Sequence, residues 1–242
     1  MKIGLVVPTA EDRVPAEGAL MYPDVTFVPR GTGVASLTPE GYDKAVDKIV
    51  PAADALAAEG VDAIMLFGTS LTFYRGPQFN EDLQAEVHAR TGLPVSSMST
   101  AIVDGLRAVG ATRLAVATAY SKVVNDKLIE LLEFHGFAVD ALESFGITEF
   151  GGATSRKTES EIIALAGQAH AQAPRADAIV ISCGGLRTLG VAKPLEERSG
   201  LPVVSSTPAS FWAAVRLVGH DGRIGGYGRL LEGATATAAA QA

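Results

Sequence analysis

The chain has 242 residues, 48% hydrophobic and 19% charged, which supplies core for one large domain or two smaller ones and is unlike a disordered chain. Its net charge of −7 and pI near 5.1 argue against nucleic acid or an anionic membrane as partner, since both are bound by basic patches. Cys183 is the single cysteine, so an internal disulfide and a cysteine-rich zinc site are excluded.

In chain order, "IGLVVP" (3–8) reads as a first strand. The start "MKIGLVVPTAEDR" passes quickly from strand to a proline-containing loop, whereas a secretory leader needs a longer apolar core. No apolar run reaches the roughly 18 residues of a membrane span, so a cytoplasmic protein is expected. Thr38 and Pro39 supply an N-cap and a first-turn proline, followed by Tyr42, Val46, Ile49, Ala53 and Leu56 at helical spacing; Pro51 is expected to kink that helix. "DAIMLF" (62–67) and "LPVSS" (93–97) read as further strands of the first half. "RLAVAT" (113–118), "FAVDAL" (137–142), "DAIVIS" (177–182) and "LPVVS" (201–205) belong to the second. Thr158 and Glu161 have capping-box spacing ahead of Ile162, Leu165 and Ala169. Apolar strands alternating with helices predict parallel α/β architecture, its sheets covered on both faces.

The chain reads as a duplication. Asp62-Ala63-Ile64 matches Asp177-Ala178-Ile179, and "GLPVSSMSTAIVDGLRAVG" (92–110) matches "GLPVVSSTPASFWAAVRLVG" (200–219) with one inserted residue. Two copies of a βα unit follow, each about 110 residues. Open parallel sheets bind ligands at the carboxyl ends of their strands. The candidate loops are therefore Pro8-Thr9, Gly68-Thr69-Ser70, Ala119-Tyr120 and Cys183-Gly184-Gly185, facing one cleft.

Cys183 sits at a strand-to-helix turn beside two glycines. Backbone N–H groups and a helix N-terminus there are expected to lower its pKa from about 8.5 toward neutrality, making it a nucleophile, base or acid. Gly68, Thr69 and Ser70 form the matching loop, with hydroxyls and backbone donors suited to an anion; Tyr120 adds a phenol. "GTGVAS" (31–36) has Ser36 where a dinucleotide fingerprint needs its third glycine, and no phosphate loop or nucleophile elbow is present. His88, His135, His170 and His220 are scattered, so no metal is expected. Arg75, Arg107 and Arg216 are read as solvated or structural.

"GTSLTFYRG" (68–76), "STAIVDGLRAVG" (99–110), "VATAY" (116–120), "SCGGL" (182–186) and the 200–219 block together resemble the arylmalonate decarboxylase family, within the aspartate/glutamate racemase superfamily that includes maleate isomerases and hydantoin racemases. The resemblance covers nearly the whole chain. It implies two pseudo-symmetric, flavodoxin-like three-layer α/β halves with central four-stranded parallel sheets and an active site in the cleft between them. Residues 1–98 with 207–242 would form the first half and 99–206 the second, the last helix of each crossing to the other.

Racemases of that superfamily place a cysteine in each half, and here the first position is Gly68. Racemisation needs a base on one face and an acid on the other, whereas decarboxylation needs one acid, because departing CO₂ leaves the carbanion. The resemblance therefore implies cofactor-independent decarboxylation of α-aryl or α-alkenyl malonates to optically active acids, with Cys183 as proton donor. It also implies a carboxylate cage of Thr69, Ser70, Tyr120 and backbone N–H groups around Ser70, Cys183 and Gly184. Pro8, Val34, Leu37, Tyr42, Leu71, Phe150 and Ala153 would line an apolar pocket, although "ITEFGGA" (147–153) departs from the family pattern. The expected partner is a small dicarboxylate, with no cofactor; no interface motif stands out, and a monomer is the expectation. The alternatives are a racemase or cis-trans isomerase of the same superfamily, and a non-catalytic carboxylate-binding protein.

Overall fold

The structure is a computed structural model, and it describes residues 1–149 and 152–233. The first half of the chain runs β1 (Lys2–Val7), α1 (Ala16–Met21), β2 (Thr26–Gly31), α2 (Pro39–Val46), α3 (Ile49–Ala58), β3 (Ala63–Leu66), α4 (Thr69–Phe73), α5 (Pro77–Thr91), β4 (Val95–Ser97) and α6 (Met98–Ala108). The second runs β5 (Arg113–Tyr120), α7 (Lys122–Phe134), β6 (Ala138–Ile147), α8 (Gly152–Ser155), α9 (Glu159–Gln172), β7 (Ala178–Ser182), α10 (Ala192–Ser199), β8 (Val203–Ser205), α11 (Ser206–Arg216) and α12 (Arg229–Glu232).

Two four-stranded sheets result, ordered β2-β1-β3-β4 and β6-β5-β7-β8, with every strand pair parallel. The expected two-half α/β architecture is thus observed, and β3 and β7 hold the same place in the two orders. The matched aspartates explain part of the likeness. Asp62 accepts the Lys2 N–H at 2.7 Å, at the start of β1. Asp177 accepts the N–H groups of Thr112 and Arg113, each at 2.9 Å, at the start of β5. Each carboxylate pins one central strand to its neighbour.

The fourth strand that the expected sheet requires in the first half, β2, was not located in the sequence. It is an edge strand with no fully buried residue, and Pro29 interrupts the apolar pattern, which an edge tolerates. The kink expected at Pro51 is also corrected. The helix breaks earlier, at Asp47-Lys48, and Pro51 lies in the first turn of α3, where its missing N–H costs little. Tyr42, Val46, Ile49, Ala53 and Leu56 are nevertheless all buried. The capping box forms as read: Thr158 Oγ1 accepts the Glu161 N–H at 3.2 Å, and Glu161 accepts the Thr158 N–H at 2.9 Å.

Helices α6 and α11 pack on one another across the middle of the molecule. α11 also covers β3 and β4 of the first sheet, and α6 lies against β8 of the second. No helix among the described residues is long and apolar enough to cross a membrane. Residues 234–242, assigned in sequence to the first half, lie outside the described residues.

Candidate active site

A cavity of about 620 Å³ lies where the carboxyl ends of the two sheets face each other. From the first half it is lined by Pro8 and Thr9 after β1, by Val34 and Leu37 after β2, by Tyr42 on α2, and by Gly68 to Leu71 after β3. From the second come Cys183 to Leu186 after β7, and Thr154 and Ser155 on α8. Three of the four loops singled out in the sequence reach this cavity. Tyr120 stands just behind it, fully buried, with its hydroxyl 3.3 Å from Ser182 Oγ.

Gly68 and Cys183 occupy twin positions. Both follow the third strand of their sheet, and both have left-handed backbone, at φ 106° and 147°. Glycine adopts that conformation freely, but Cys183 is the one side-chain-bearing residue to do so among the described residues. Such a backbone costs on the order of 1–3 kcal/mol and persists only where its surroundings impose it. A side chain starting at Gly68 would meet Leu71 at 3.2 Å and Pro8 at 3.5 Å, both apolar. At the position twin to the thiol, the nearest side chains among the described residues are thus those of Leu71 and Pro8.

The thiol is not activated in the way expected. Burial pushes its pKa up to about 11, and the opposing N–H groups of Gly185 and Leu186 and the Tyr120 hydroxyl recover only part of that rise. A buried anion loses more hydration than three hydrogen bonds return. Cys183 is accordingly a neutral S–H donor near pH 7, not a thiolate. The Tyr120 phenol is held neutral by the same burial.

Thr69 is 1% and Ser70 6% exposed, so both hydroxyls are screened from bulk water. Ser70 occupies the first turn of α4, where N–H groups have no helical acceptor. The Cys183 N–H, in contrast, is already used: it donates to Ser206 Oγ at 3.1 Å. Thr69 Oγ1 donates to the same oxygen at 3.2 Å. A Cβ at Gly185 would lie 2.5 Å from Thr154 Oγ1, so a side chain there would force Thr154 to shift.

Pro8, Val34, Leu37, Tyr42 and Leu71 all line the cavity. Ala153 is half-buried on α8 without lining the cavity; its neighbours Thr154 and Ser155 do so instead. Phe150 lies outside the described residues. The Tyr42 hydroxyl has no hydrogen-bond partner among the described residues, although the ring is buried. Burial raises its pKa, and the nearby Ser70 hydroxyl limits that rise. Sequence reasoning missed Ser206, Met98 and the charged rim of Arg13, Glu17, Glu159 and Arg187. The one signal available was shared by Ser206 and Met98, which hold the same place in the two copies of the repeated block.

Arg75 pairs with Asp43, and Arg107 lies 3.9 Å from Asp104, so both are held at the surface away from the cavity. Arg216 stacks on Trp212. His88 and His220 hydrogen-bond backbone groups, and no group of three metal-binding side chains occurs among the described residues.

Twin four-stranded parallel sheets with a cavity between their carboxyl ends place the chain among two-half α/β folds, and comparison with known proteins narrows that class. The arylmalonate decarboxylase family profile matches residues 3–231. Arylmalonate decarboxylase of Bordetella bronchiseptica is 45% identical over 231 residues, covering 95% of this chain and 96% of that one. A maleate isomerase of Nocardia farcinica is 29% identical over 95% of each chain. A crystal structure of an arylmalonate decarboxylase double variant in liganded form, one glycine replaced by cysteine and one cysteine by serine, has a TM-score of 0.93 at 44% identity, covering 96% of this chain and 98% of that one. The chain belongs to the arylmalonate decarboxylase family.

Proposed function

We propose that the chain is a cofactor-independent decarboxylase of α-aryl or α-alkenyl malonates that releases optically active monocarboxylic acids. One malonate carboxylate is held by the side chains of Thr69, Ser70 and Tyr120 and by the N–H groups of Ser70 and Gly184. The other faces Pro8, Val34, Leu37, Leu71 and the Tyr42 ring. Loss of hydration there opposes a charged carboxylate, and departure as neutral CO₂ removes the charge.

As the C–C bond breaks, its electron pair moves into the retained carboxylate and forms an enediolate. Donors fixed in advance stabilise that charge, each by roughly 2.7–4 kcal/mol in comparable oxyanion sites. The Cys183 S–H then gives its proton to the α-carbon from one face, and the resulting thiolate regains a proton from solvent. Its high pKa favours this role, because the thiol holds its proton until a strongly basic carbanion forms.

The observation that carries the reading is the asymmetry of the twin loops, a thiol at Cys183 against apolar Leu71 and Pro8 at Gly68. It disfavours a two-base racemase and predicts a single-handed product. We take residues 1–98 with 207–242 and 99–206 as the two halves, and a monomer in the cytoplasm as the setting that fits an acidic chain with one free thiol.

The test is Cys183→Ser. It should keep the fold and slow CO₂ release from phenylmalonate by about 10²–10⁴-fold, the usual contribution of a positioned general acid. Wild-type-like release in that variant would remove Cys183 from the reaction.

A further inference from the structure

Ser206 opens α11 and is 1% exposed. Its Oγ accepts the Cys183 N–H at 3.1 Å and the Thr69 hydroxyl at 3.2 Å, and its own proton reaches the Ile181 carbonyl at 3.4 Å. A serine hydroxyl has one donor and two acceptor positions, so all three are occupied. One side chain thus joins the proton-donating loop of the second half to the anion-binding loop of the first.

The first half supplies an internal control. By strand register Met98 is the counterpart of Ser206, since each directly follows the last strand of its sheet. The Gly68 N–H points at Met98 Sδ, 2.9 Å away. A thioether is a weak acceptor. It suffices at Gly68, where glycine adopts φ 106° without strain. At Cys183 a side chain must be held at φ 147°, and there the acceptor is a hydroxyl.

We propose that Ser206 is a positioning residue that fixes the Cys183 thiol relative to the anion-binding loop, and so sets the face on which the product is protonated. It also tunes Thr69. Thr69 Oγ1 donates to Ser206 Oγ, which is not the direction a bound carboxylate requires. When an anion enters, rotation of two hydroxyl hydrogens reverses the chain, Ser206 donating to Thr69 and Thr69 to the carboxylate, with no heavy atom moving. Aligned hydroxyls polarise one another and strengthen the terminal donor. This inference rests on the decarboxylase reading above and adds the residue that holds its two halves in register.

The experiment uses 2-methyl-2-phenylmalonate, whose product is chiral. Ser206→Ala should lower kcat by about 30-fold with KM within about threefold, and enantiomeric excess should fall with it as water reaches the misplaced intermediate. Ser206→Cys, similar in volume but a poorer acceptor, should fall between wild type and Ser206→Ala, and it carries the test if Ser206→Ala does not fold. A kcat within threefold of wild type, or a lowered kcat with unchanged enantiomeric excess, would overturn the proposal. A wild-type chain that releases no CO₂, or gives racemic acid, would instead refute the decarboxylase reading.

Discussion

The protonation state of Cys183 can be tested by pH alone. With its pKa pushed up to about 11, the thiol is ionised to only about one part in ten thousand at pH 7 and about one part in a hundred at pH 9. If the protonated form is the acid, kcat for phenylmalonate at saturating substrate should be flat between pH 7 and 9. It should halve near pH 11 and fall about tenfold per unit beyond. CO₂ release in a pH series, with far-UV circular dichroism recorded at each point, separates this titration from unfolding. The same group has a stability signature. An unfolded thiol ionises near 9.0 and the folded one near 11, so the folded chain holds the extra proton between them and stability falls as pH rises. Relative to Cys183→Ala, the wild-type chain should lose about 3 kcal/mol across that interval, two units at about 1.4 kcal/mol each. A kcat that climbs from pH 7 to 9 would refute the reasoning, because the thiolate would then be the active form.

Further substitutions probe the walls of the cavity. Gly68→Cys places a second thiol opposite Cys183, at a left-handed φ of 106° and 3.2 Å from Leu71; it should cost about 1–3 kcal/mol and confer racemisation of 2-phenylpropionate, absent from wild type. Failure to racemise would count against the twin-loop geometry. Tyr42→Phe removes a buried hydroxyl that has no hydrogen-bond partner among the described residues and leaves the ring in the cavity wall, so thermal stability should rise by the equivalent of about 1 kcal/mol with kcat within threefold. A tenfold fall in kcat would show that the hydroxyl touches substrate. Gly185→Ala drives a methyl to 2.5 Å from Thr154 Oγ1 and should reduce activity at least tenfold, with partial recovery on adding Thr154→Ala; activity unaffected by the single change would mean that the loop has room to move.

The sequence was most legible where physical constraint was greatest. β1, β3, β5 and β7 are nearly or wholly buried, and their apolar runs announced them. β2 carries a proline and lies at an edge, so neither apolar continuity nor strand propensity marked it. The helix break at Asp47-Lys48 was misplaced to Pro51 because a proline in a first turn resembles a proline in a helix interior when only spacing is visible. Within the site, the duplication exposed the Gly68–Cys183 pairing directly. The acidity of Cys183 was misjudged because nearby N–H groups can be read from the chain, while desolvation depends on everything the fold packs around the sulfur. Ser206 was invisible as a functional residue for a related reason: its partners Thr69 and Cys183 are 137 and 23 residues away.

The packing of α6 and α11 on one another, each against strands of both sheets, bears on what a single copy of the repeat could do alone. A half-length chain ending near residue 110 would leave open to water the apolar side of β3 and β4 that α11 now shelters. It could hide that surface only by borrowing the terminal helix of a second copy, while lending its own in return. In the single chain both helices are supplied internally, so the two copies of the loop, at Gly68 and at Cys183, can carry different residues.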